Sequence, residues 1–311
     1  MAVGRPALQV GAPIVGGPDA GLAAGAPLRQ ASLWSDAWAR YVRNKGAIVA
    51  GAIFVLILLY ALFAPIFSPH DPNFVDFKLK SQGPSWGHPF GTDNVGRDLI
   101  TRTALGTRIS IGIGFGATIA ILAIGVVYGS ISGFIGGWLD NALQRFLDAL
   151  YGLPFLPFAI ITLAIIGTVN FWTMVIALSI ASWFTTARIV RGQVITLKEN
   201  DYVRAAKAVG ARWYRILARH LLPNTLGILI IAIFIELPGV ILGEAFLSFI
   251  GLGINPPDAS LGSMAQDGYG SYRVAPHIIV IPSLTISAIV MCTYFIADGM
   301  RDALDPRTRE T

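Results

Sequence analysis

The sequence has 311 residues, of which 54% are hydrophobic and only 13% are charged, and its mean hydropathy is +0.63. Soluble domains usually have about 25% charged residues, so this composition excludes a soluble domain and predicts that most of the chain lies in a bilayer. The net charge of +5 is small and the aromatic residues lie mainly in or beside apolar runs, which excludes a nucleic-acid-binding protein.

Residues 1–30 are rich in Gly, Ala and Pro and show no periodicity, which predicts a disordered tail. They lack the basic start and apolar core of a secretory signal. Residues 34–45 are amphipathic and aromatic, which favours an interfacial helix, although a plain linker fits the same residues. The first span is predicted at residues 47–67, because about 21 apolar residues are enough to cross a bilayer.

Residues 68–107 are polar and lead into the run HPFGTDNVGRDLITRTALGTRIS at residues 88–110. Its glycines and Pro89 predict tight turns, after which Asp98 caps a helix. We interpret its Asp and Arg side chains as local pairs that stabilise an external loop, and not as a substrate-binding site.

Five further apolar segments predict an all-α integral membrane protein with six transmembrane helices. The third span should kink because it contains Pro154 and Pro157. Small residues at four-residue spacing predict close helix packing, at a subunit interface or a pore. Spans two to six are predicted at 109–133, 149–168, 171–187, 225–250 and 277–297, and the spaced glycines are Gly112, Gly116, Gly125, Gly129, Gly133 and Gly137.

A basic stretch of 26 residues, 199–224, separates the fourth and fifth spans. Its apolar residues recur every three or four positions, which predicts one buried helical face. Gly210 interrupts this pattern and predicts a bend between two short helices, and Pro223 marks the start of the next span. The predicted apolar face comprises Val203, Ala206, Val209, Trp213, Ile216 and Leu217.

The Lys and Arg residues predict the orientation of the chain. Six spans place both termini on one side, and that side carries 17 of the 23 Lys and Arg residues, eight of them between residues 188 and 225. The basic stretch and both termini are therefore predicted to be cytoplasmic, in a multi-pass protein of a prokaryotic plasma (inner) membrane.

Two carboxylates lie in the fifth predicted span, Glu236 near its centre and Glu244 nearer its outer end. A charge at mid-bilayer costs about 2.5–3.5 kcal/mol on insertion scales, so Glu236 should face a cavity or a partner. It either lines a translocation pathway, where it favours the amino group of a passing peptide, or has a structural role, in which it is protonated or hydrogen-bonds to a neighbouring helix. Glu244 is assigned to the same pathway.

The residue types that bind metals and phosphates are sparse. Cys292 is the only cysteine, which excludes an intramolecular disulfide. The histidines are scattered without metal-site spacing, so no metal site is predicted. No G-x-x-x-x-G-K-[ST] loop is present, so the chain is not predicted to bind ATP. The four histidines are His70, His88, His220 and His277.

The basic stretch resembles the signature of ABC importer permeases, which reads E-A-A, three residues, G, nine residues, I-x-L-P. Arg204 stands in place of the expected Glu and His220 in place of the Ile. The run from residue 88 resembles the segment H-P-x-G-T-D-x-x-G-R-D of peptide- and nickel-type members, and the resemblance covers about residues 32–307. In the signature the matching residues are Ala205, Ala206, Gly210, Leu222 and Pro223.

The resemblance implies a type I ABC importer permease fold with a cytoplasmic coupling helix, and a C-type permease subunit of an oligopeptide or dipeptide importer. It implies a heterodimer with a second permease, two cytoplasmic ABC ATPases that bind ATP and Mg, and an extracytoplasmic peptide-binding protein. The chain itself is then a lipid-embedded transporter subunit without a cofactor and not an enzyme. The implied ATPase-coupling residues are Tyr202, Ala205, Ala206, Gly210, Ala211, His220 and Pro223.

Two other interpretations stay open at this stage. A permease for nickel or another small solute in the same family carries the same motifs. An ion-driven secondary transporter would use Glu236 as a proton site and would contain internal repeats, which the spans do not clearly show. The predicted divisions are a tail (1–30), an interfacial helix with the first span and external loop (31–105), a transmembrane domain (106–303) and a C-terminal tail (304–311).

Overall fold

The computed structural model describes residues 33–304, with side chains from residue 37 onward, so the predicted terminal tails and the side chain of Trp34 lie outside the described residues. An isolated bridge joins Thr92 and Asp98, and no strand forms in the described range, which confirms the all-α class. The helices are α1 Leu33–Arg43, α2 Lys45–Phe67, α3 Leu99–Ile135, α4 Gly137–Tyr151, α5 Phe155–Ile166, α6 Phe171–Ile180, α7 Trp183–Leu197, α8 Asp201–Ala208, α9 Trp213–Ile216, α10 Leu222–Leu247, α11 Leu261–Tyr269 and α12 His277–Leu304.

Four helical stretches are long and apolar enough to cross a membrane, namely α2, α3, the run Trp213–Leu252 around α10, and α12. Two bent pairs, α4 with α5 and α6 with α7, pass the same test together, with bends of 94° and 52°. Among the described residues the chain therefore has four to six spans, and the predicted six corresponds to counting each bent pair once.

The third predicted span, 149–168, is not one kinked helix, and this prediction was wrong in detail. Helix α4 ends at Tyr151 and α5 begins after Pro154, which has extended backbone dihedrals. Proline has no N–H to donate and disfavours helical geometry in the residue before it, so the chain breaks there. The 12 residues of α5 span only about 18 Å, less than a bilayer core.

Helix α3 is the centre of the fold and contacts α2, α6, α7 and α10. Its later glycines lie directly against α7, since a Cβ on Gly125 would lie 2.7 Å from Thr186 Cγ2 and one on Gly133 2.8 Å from Arg191 O, while Gly112 and Gly116 face Phe171 and Val175 of α6. The prediction of close packing is confirmed, but the partner is a helix of the same chain and not another subunit. This contact also explains why α7 continues past the predicted end of the fourth span at residue 187.

Two apolar cores lie on opposite sides of α3. One joins α3 to α5, α6 and α10 through Ile121, Leu178 and Val240 among others, and the second joins α2, α3, α10 and α12. The segment between α2 and α3, residues 68–98, leads into the beginning of the central helix α3. Helices α4 and α7 contact the other end of α3. We call residues 68–98 the connecting segment.

Candidate functional site

Residues 199–224, which we call the basic island, fold as α8, a turn, α9 and a π-helical turn, Leu217–Leu221, that leads into α10. One face of the island is fully buried. Val203, Ile216 and Leu221 are at most 1% exposed and belong to one apolar cluster with Val190 and Val194 of α7. The predicted periodic face thus holds the island against the membrane-spanning part of the chain.

The bend at Gly210 is a helix C-cap of the Schellman type. The Ala211 N–H donates to Ala206 O at 3.0 Å and the Gly210 N–H donates to Lys207 O at 2.9 Å, while Gly210 has φ +79°. No atom lies within 4 Å of a Cβ built on Gly210, so backbone conformation and not space requires glycine there.

The opposite face of the island exposes apolar side chains. Val209 is 84% exposed, and Tyr202, Trp213 and Tyr214 are between 39% and 48% exposed. Assigning Val209 and Trp213 to the buried face was therefore wrong. For Trp213 the reason is the left-handed Gly210, which ends the periodicity of α8 and restarts it in a new direction for α9. Val209 lies six residues after the buried Val203, which is about 120° away from it around the helix.

The predicted coupling residues are close together on the island. The Tyr202 and His220 rings approach to 6.4 Å between centroids, which connects the start of α8 to the π-helical turn. Ala205 and Pro223 are exposed, and Ala206 and Ala211 are half-buried. Arg204, the departure from the signature, lies 3.5 Å from Glu199, and both side chains are about two-thirds exposed.

The island is also connected to the far end of α3. Lys207 Nζ lies 5.5 Å from the Phe134 ring centroid, and Lys198 Nζ donates to Gly133 O at 3.2 Å. A movement of α8 is therefore expected to act on α3 directly. Sequence reasoning did not find these contacts, because both cross about 65 residues or more of chain and neither leaves a local pattern.

A second ionic contact beside the island joins three helices. Arg191 of α7 donates from Nε and Nη2 to both carboxylate oxygens of Asp140 on α4, at 2.7 and 2.6 Å. Ser132 of α3 donates to the same carboxylate at 2.5 Å. A bidentate pair of this kind fixes geometry as well as charge, so it holds α3, α4 and α7 in one arrangement.

Glu236 lies on α10, one turn before Gly239, which lines a mainly apolar cavity of about 550 Å³. Helical spacing places it on the same face as Gly239 and Gly243, which line this cavity with Phe155 and Ser287. Glu236 is half-buried, and its carboxylate has no hydrogen bond or ion pair with any residue that the structure describes. A carboxylate within a membrane-spanning helix is expected to have this environment when it faces a translocation pathway or a partner subunit.

Glu244, in contrast, is fully buried and fully bonded. Ser110 of α3 donates to its Oε2 at 2.8 Å and Ser248 donates to its Oε1 at 2.6 Å. The N–H of Leu261 donates in turn to Ser110 Oγ at 3.1 Å. This network joins α3, α10 and α11, so the geometry favours a packing role for Glu244 and not the pathway role that the sequence predicted.

A second cluster of charges lies where the connecting segment meets α3, and its acids and bases pair with one another. Asp98 caps α3 through the Thr101 N–H at 3.0 Å, as predicted. Asp93 accepts from Arg97 Nε at 2.5 Å and lies 3.7 Å from Arg102, which is only 2% exposed. The predicted local pairing of Asp and Arg side chains is present, which favours a structural role for this motif.

Arg102 also donates to the carbonyl of Pro257 at 3.4 Å, and Arg97 lies 3.8 Å from Asp267 on α11. Partial burial raises the pKa of the Asp267 carboxyl above its usual range, and the positive charges of Arg97 and Arg102 oppose that shift. The cluster therefore joins the connecting segment to α11.

The prediction that the histidines are scattered was wrong for two of them. His70 and His88 lie with their ring centroids 4.5 Å apart, although 18 residues separate them in the chain. Folding back of the connecting segment brings them together, which no spacing rule for metal ligands detects.

Two family models match the chain. One describes a binding-protein-dependent transport system inner membrane component and matches residues 125–310. The other describes the N-terminal transmembrane domain of oligopeptide transport permease C and matches residues 32–84. The first includes the basic island and the second includes α2.

Curated relatives are similar over nearly the whole chain. The oligopeptide transport system permease protein OppC of Bacillus subtilis is 42% identical over 90% of this chain and 91% of its own length. The dipeptide transport system permease protein DppC of the same organism is 39% identical, over 89% and 87%. OppC of Escherichia coli (strain K12) is 39% identical, over 89% and 92%.

Two solved structures share the fold, both of the MetNI methionine ABC transporter in inward-facing conformations. One is 20% identical with a TM-score of 0.52 and covers 66% of this chain and 96% of that chain. The other is 19% identical with a TM-score of 0.50 and covers 64% and 94%. This similarity confirms the type I permease fold that the sequence predicted.

Proposed function

The chain belongs to the family of binding-protein-dependent transport system inner membrane components, and we propose that it forms half of the pore of an ATP-driven importer of oligopeptides or dipeptides. It is a multi-pass membrane subunit of a transporter and not an enzyme. The peptide substrate is inferred from the relatives, which are named for oligopeptide and dipeptide transport.

The exposed face of the basic island carries the proposal. A helix held by a buried face and a capped bend, with Val209, Trp213 and Tyr214 exposed beside several Lys and Arg residues, has the composition of a docking surface. Aromatic and Arg side chains are enriched at protein–protein interfaces, and in the island they flank the turn at Gly210. The occupant that we propose is a cytoplasmic ATPase subunit, one of two in the complex.

The partners follow from this arrangement. We propose a heterodimer with a second permease, two ABC ATPases that bind ATP and Mg, and an extracytoplasmic peptide-binding protein. The chain itself supplies the coupling residues, namely Tyr202, Ala205, Ala206, Gly210, Ala211, His220 and Pro223. The orientation is the one predicted from the basic residues, with both termini and the island on the cytoplasmic side of a prokaryotic plasma membrane.

The contacts of the island supply a route for coupling. A movement of α8 pulls on α3 through Lys207 and Phe134, and α3 packs along α7 through its glycines. The Asp140–Arg191 pair keeps α3, α4 and α7 moving as one body. Closure of the ATPase dimer is thereby converted into a tilt of the helices that line the pore.

Glu236 is the carboxylate that we assign to the pathway. Its carboxylate has no partner among the described residues and it shares a helical face with Gly239 and Gly243 of the cavity lining, which suits a group that meets the ammonium of a passing peptide. We expect Glu236→Gln to lower peptide uptake while complex assembly and ATPase activity persist. Unchanged uptake would remove Glu236 from the pathway.

The function is tested by reconstituting the chain with the second permease, the ATPases and the binding protein in lipid vesicles. The proposal predicts uptake of labelled peptides that requires ATP and the binding protein and that stops when this chain is omitted. Uptake of Ni²⁺ but not of peptides would favour the nickel importer. Uptake driven by a proton gradient without ATP would contradict the proposal.

A further inference from the structure

Three side chains that the transport function does not use converge in the connecting segment. His70 follows α2, His88 lies in the loop before α3, and Asp98 is the N-cap of α3. One potential ligand atom from each of the three lies within 4.8 Å of the other two. His88 is 14% exposed and His70 is half-buried, so the group is reachable from solvent.

The hydrogen bonds of the two rings determine their tautomers. His70 Nε2 is 3.1 Å from the carbonyl oxygen of Gly87, and His88 Nδ1 is 2.9 Å from Asp98 Oδ1. A carbonyl only accepts and an ionised carboxylate only accepts, so the proton of each neutral ring lies on the bonded nitrogen. The other nitrogens, His70 Nδ1 and His88 Nε2, keep their lone pairs and have no partner among the described residues.

This arrangement is the one that metal-binding histidines have. A ligating imidazole usually donates its second N–H to a carbonyl or a carboxylate, which fixes the ring and makes the ligating nitrogen more basic. Here one ring has the carbonyl and the other has the carboxylate. The two ring centroids are 4.5 Å apart, and the nitrogen ligands of Zn²⁺ lie about 2.0–2.1 Å from the metal, so the rings are close enough to share one ion.

We propose that His70 Nδ1 and His88 Nε2 bind a divalent transition metal of the zinc or nickel class, with Asp98 holding the His88 ring in place and water completing the coordination. Imidazole favours Zn²⁺, Ni²⁺ and Cu²⁺ over Mg²⁺ and Ca²⁺, which prefer oxygen ligands. A bound ion cross-links the two ends of the connecting segment, residues 70 and 88, and so stabilises the entry into the central helix.

The decisive variant is His70→Gln, because the ring of His70 makes no bond except the one to Gly87. His88→Gln also removes the bond to Asp98, and Asp98→Asn keeps a good N-cap residue while removing the carboxylate. The matched control is Asp71→Asn, an exposed acid beside His70 that bonds only to the N–H of Asn73.

The experiment uses the complete transporter complex in detergent, purified without a polyhistidine tag and stripped with a chelator. The complex is equilibrated with ZnCl₂, desalted and analysed for zinc by mass spectrometry. We expect wild type and Asp71→Asn to retain one equivalent of zinc more than His70→Gln. The X-ray absorption spectrum of the zinc in wild type should show scattering from imidazole ligands. We expect Asp98→Asn to bind zinc about 10- to 100-fold more weakly.

A thermal melt separates loss of the site from loss of folding. Without metal, His70→Gln should unfold at the temperature of wild type, and zinc should raise that temperature in wild type and in Asp71→Asn only. Equal zinc content in wild type and His70→Gln would overturn the proposal and would leave the paired rings as packing alone. The result does not depend on which solute the complex transports.

Discussion

The basic island and the connecting segment are both rich in charges, yet the two regions use them in opposite ways. At the end of the connecting segment Asp93 and Asp98 are buried and bonded within the chain, as is Arg102 in the first turn of α3. In the island the cations and the aromatic residues around Gly210 are mostly exposed, and the described ion pair is the weak one between Arg204 and Glu199. A motif whose polar groups are satisfied internally stabilises the fold, whereas one that exposes apolar groups beside charges is prepared for a partner.

This difference predicts that substitutions in the connecting segment reduce stability, and that substitutions in the island reduce coupling or assembly. The largest effect is expected for Asp93→Ala. It removes the acceptor of Arg97 and leaves the nearly inaccessible Arg102 without its nearest carboxylate. Breaking a buried pair by removing one partner costs about 3–5 kcal/mol, which should appear as a lower unfolding temperature and a lower yield of folded chain.

The control for Asp93→Ala is Asp71→Ala, which removes an exposed acid from the same segment. It should leave the unfolding temperature nearly unchanged. If both variants unfold alike, the cluster around Asp93 has no special role in stability, and the first half of the comparison fails.

The second effect is expected for Gly210→Val. Valine at φ +79° is strained by about 1–3 kcal/mol, so the cap between α8 and α9 should shift. We expect ATP hydrolysis to persist in reconstituted vesicles while peptide uptake falls. Gly192→Ala is the matched control, because that glycine also has open space around its Cβ but lies within α7. Full coupling in the valine variant would count against docking through this turn.

A third, smaller effect is expected for Trp213→Ser. The side chain is 48% exposed, so its loss should hardly affect folding but should weaken binding of the ATPase by about 1–2 kcal/mol, or roughly 5- to 30-fold. The control is Trp86→Ser, a fully exposed tryptophan of the connecting segment. ATPase binding measured in detergent should be weaker for Trp213→Ser than for Trp86→Ser. Equal losses of affinity would mean that the position of Trp213 in the island is not what matters for binding.

The smallest effect is expected for Arg204→Gln. An ion pair with both side chains about two-thirds exposed contributes about 0–1 kcal/mol, so the unfolding temperature should not change measurably. A loss of ATPase binding in this variant would show that Arg204 meets an acid on the ATPase. Unchanged binding would show that pairing with Glu199 is enough to accommodate the departure from the signature.

The sequence predicts those parts of the structure that depend on local rules. The cap at Asp98, the bend at Gly210 and the close packing along α3 all follow from residue types at short spacing. The partner of the α3 glycines, the bonds of Glu244 and the meeting of His70 with His88 depend on contacts between distant segments, which no local pattern records. Trp213 was misplaced because a single left-handed residue, Gly210, changes the direction of the chain and, with it, the register of the apolar face. Val209 was misplaced because its spacing of six residues from Val203 does not keep it on the buried side of α8.

The contact between the island and an ATPase is tested most directly through Val209, whose side chain is 84% exposed at the tip of α8. Val209→Cys introduces an accessible thiol, since the native Cys292 is buried. In membranes that contain the complete complex, we predict that this thiol cross-links to an ATPase subunit and is protected from an impermeant reagent added outside the cell. Labelling from outside, or cross-linking to lipid alone, would contradict the account.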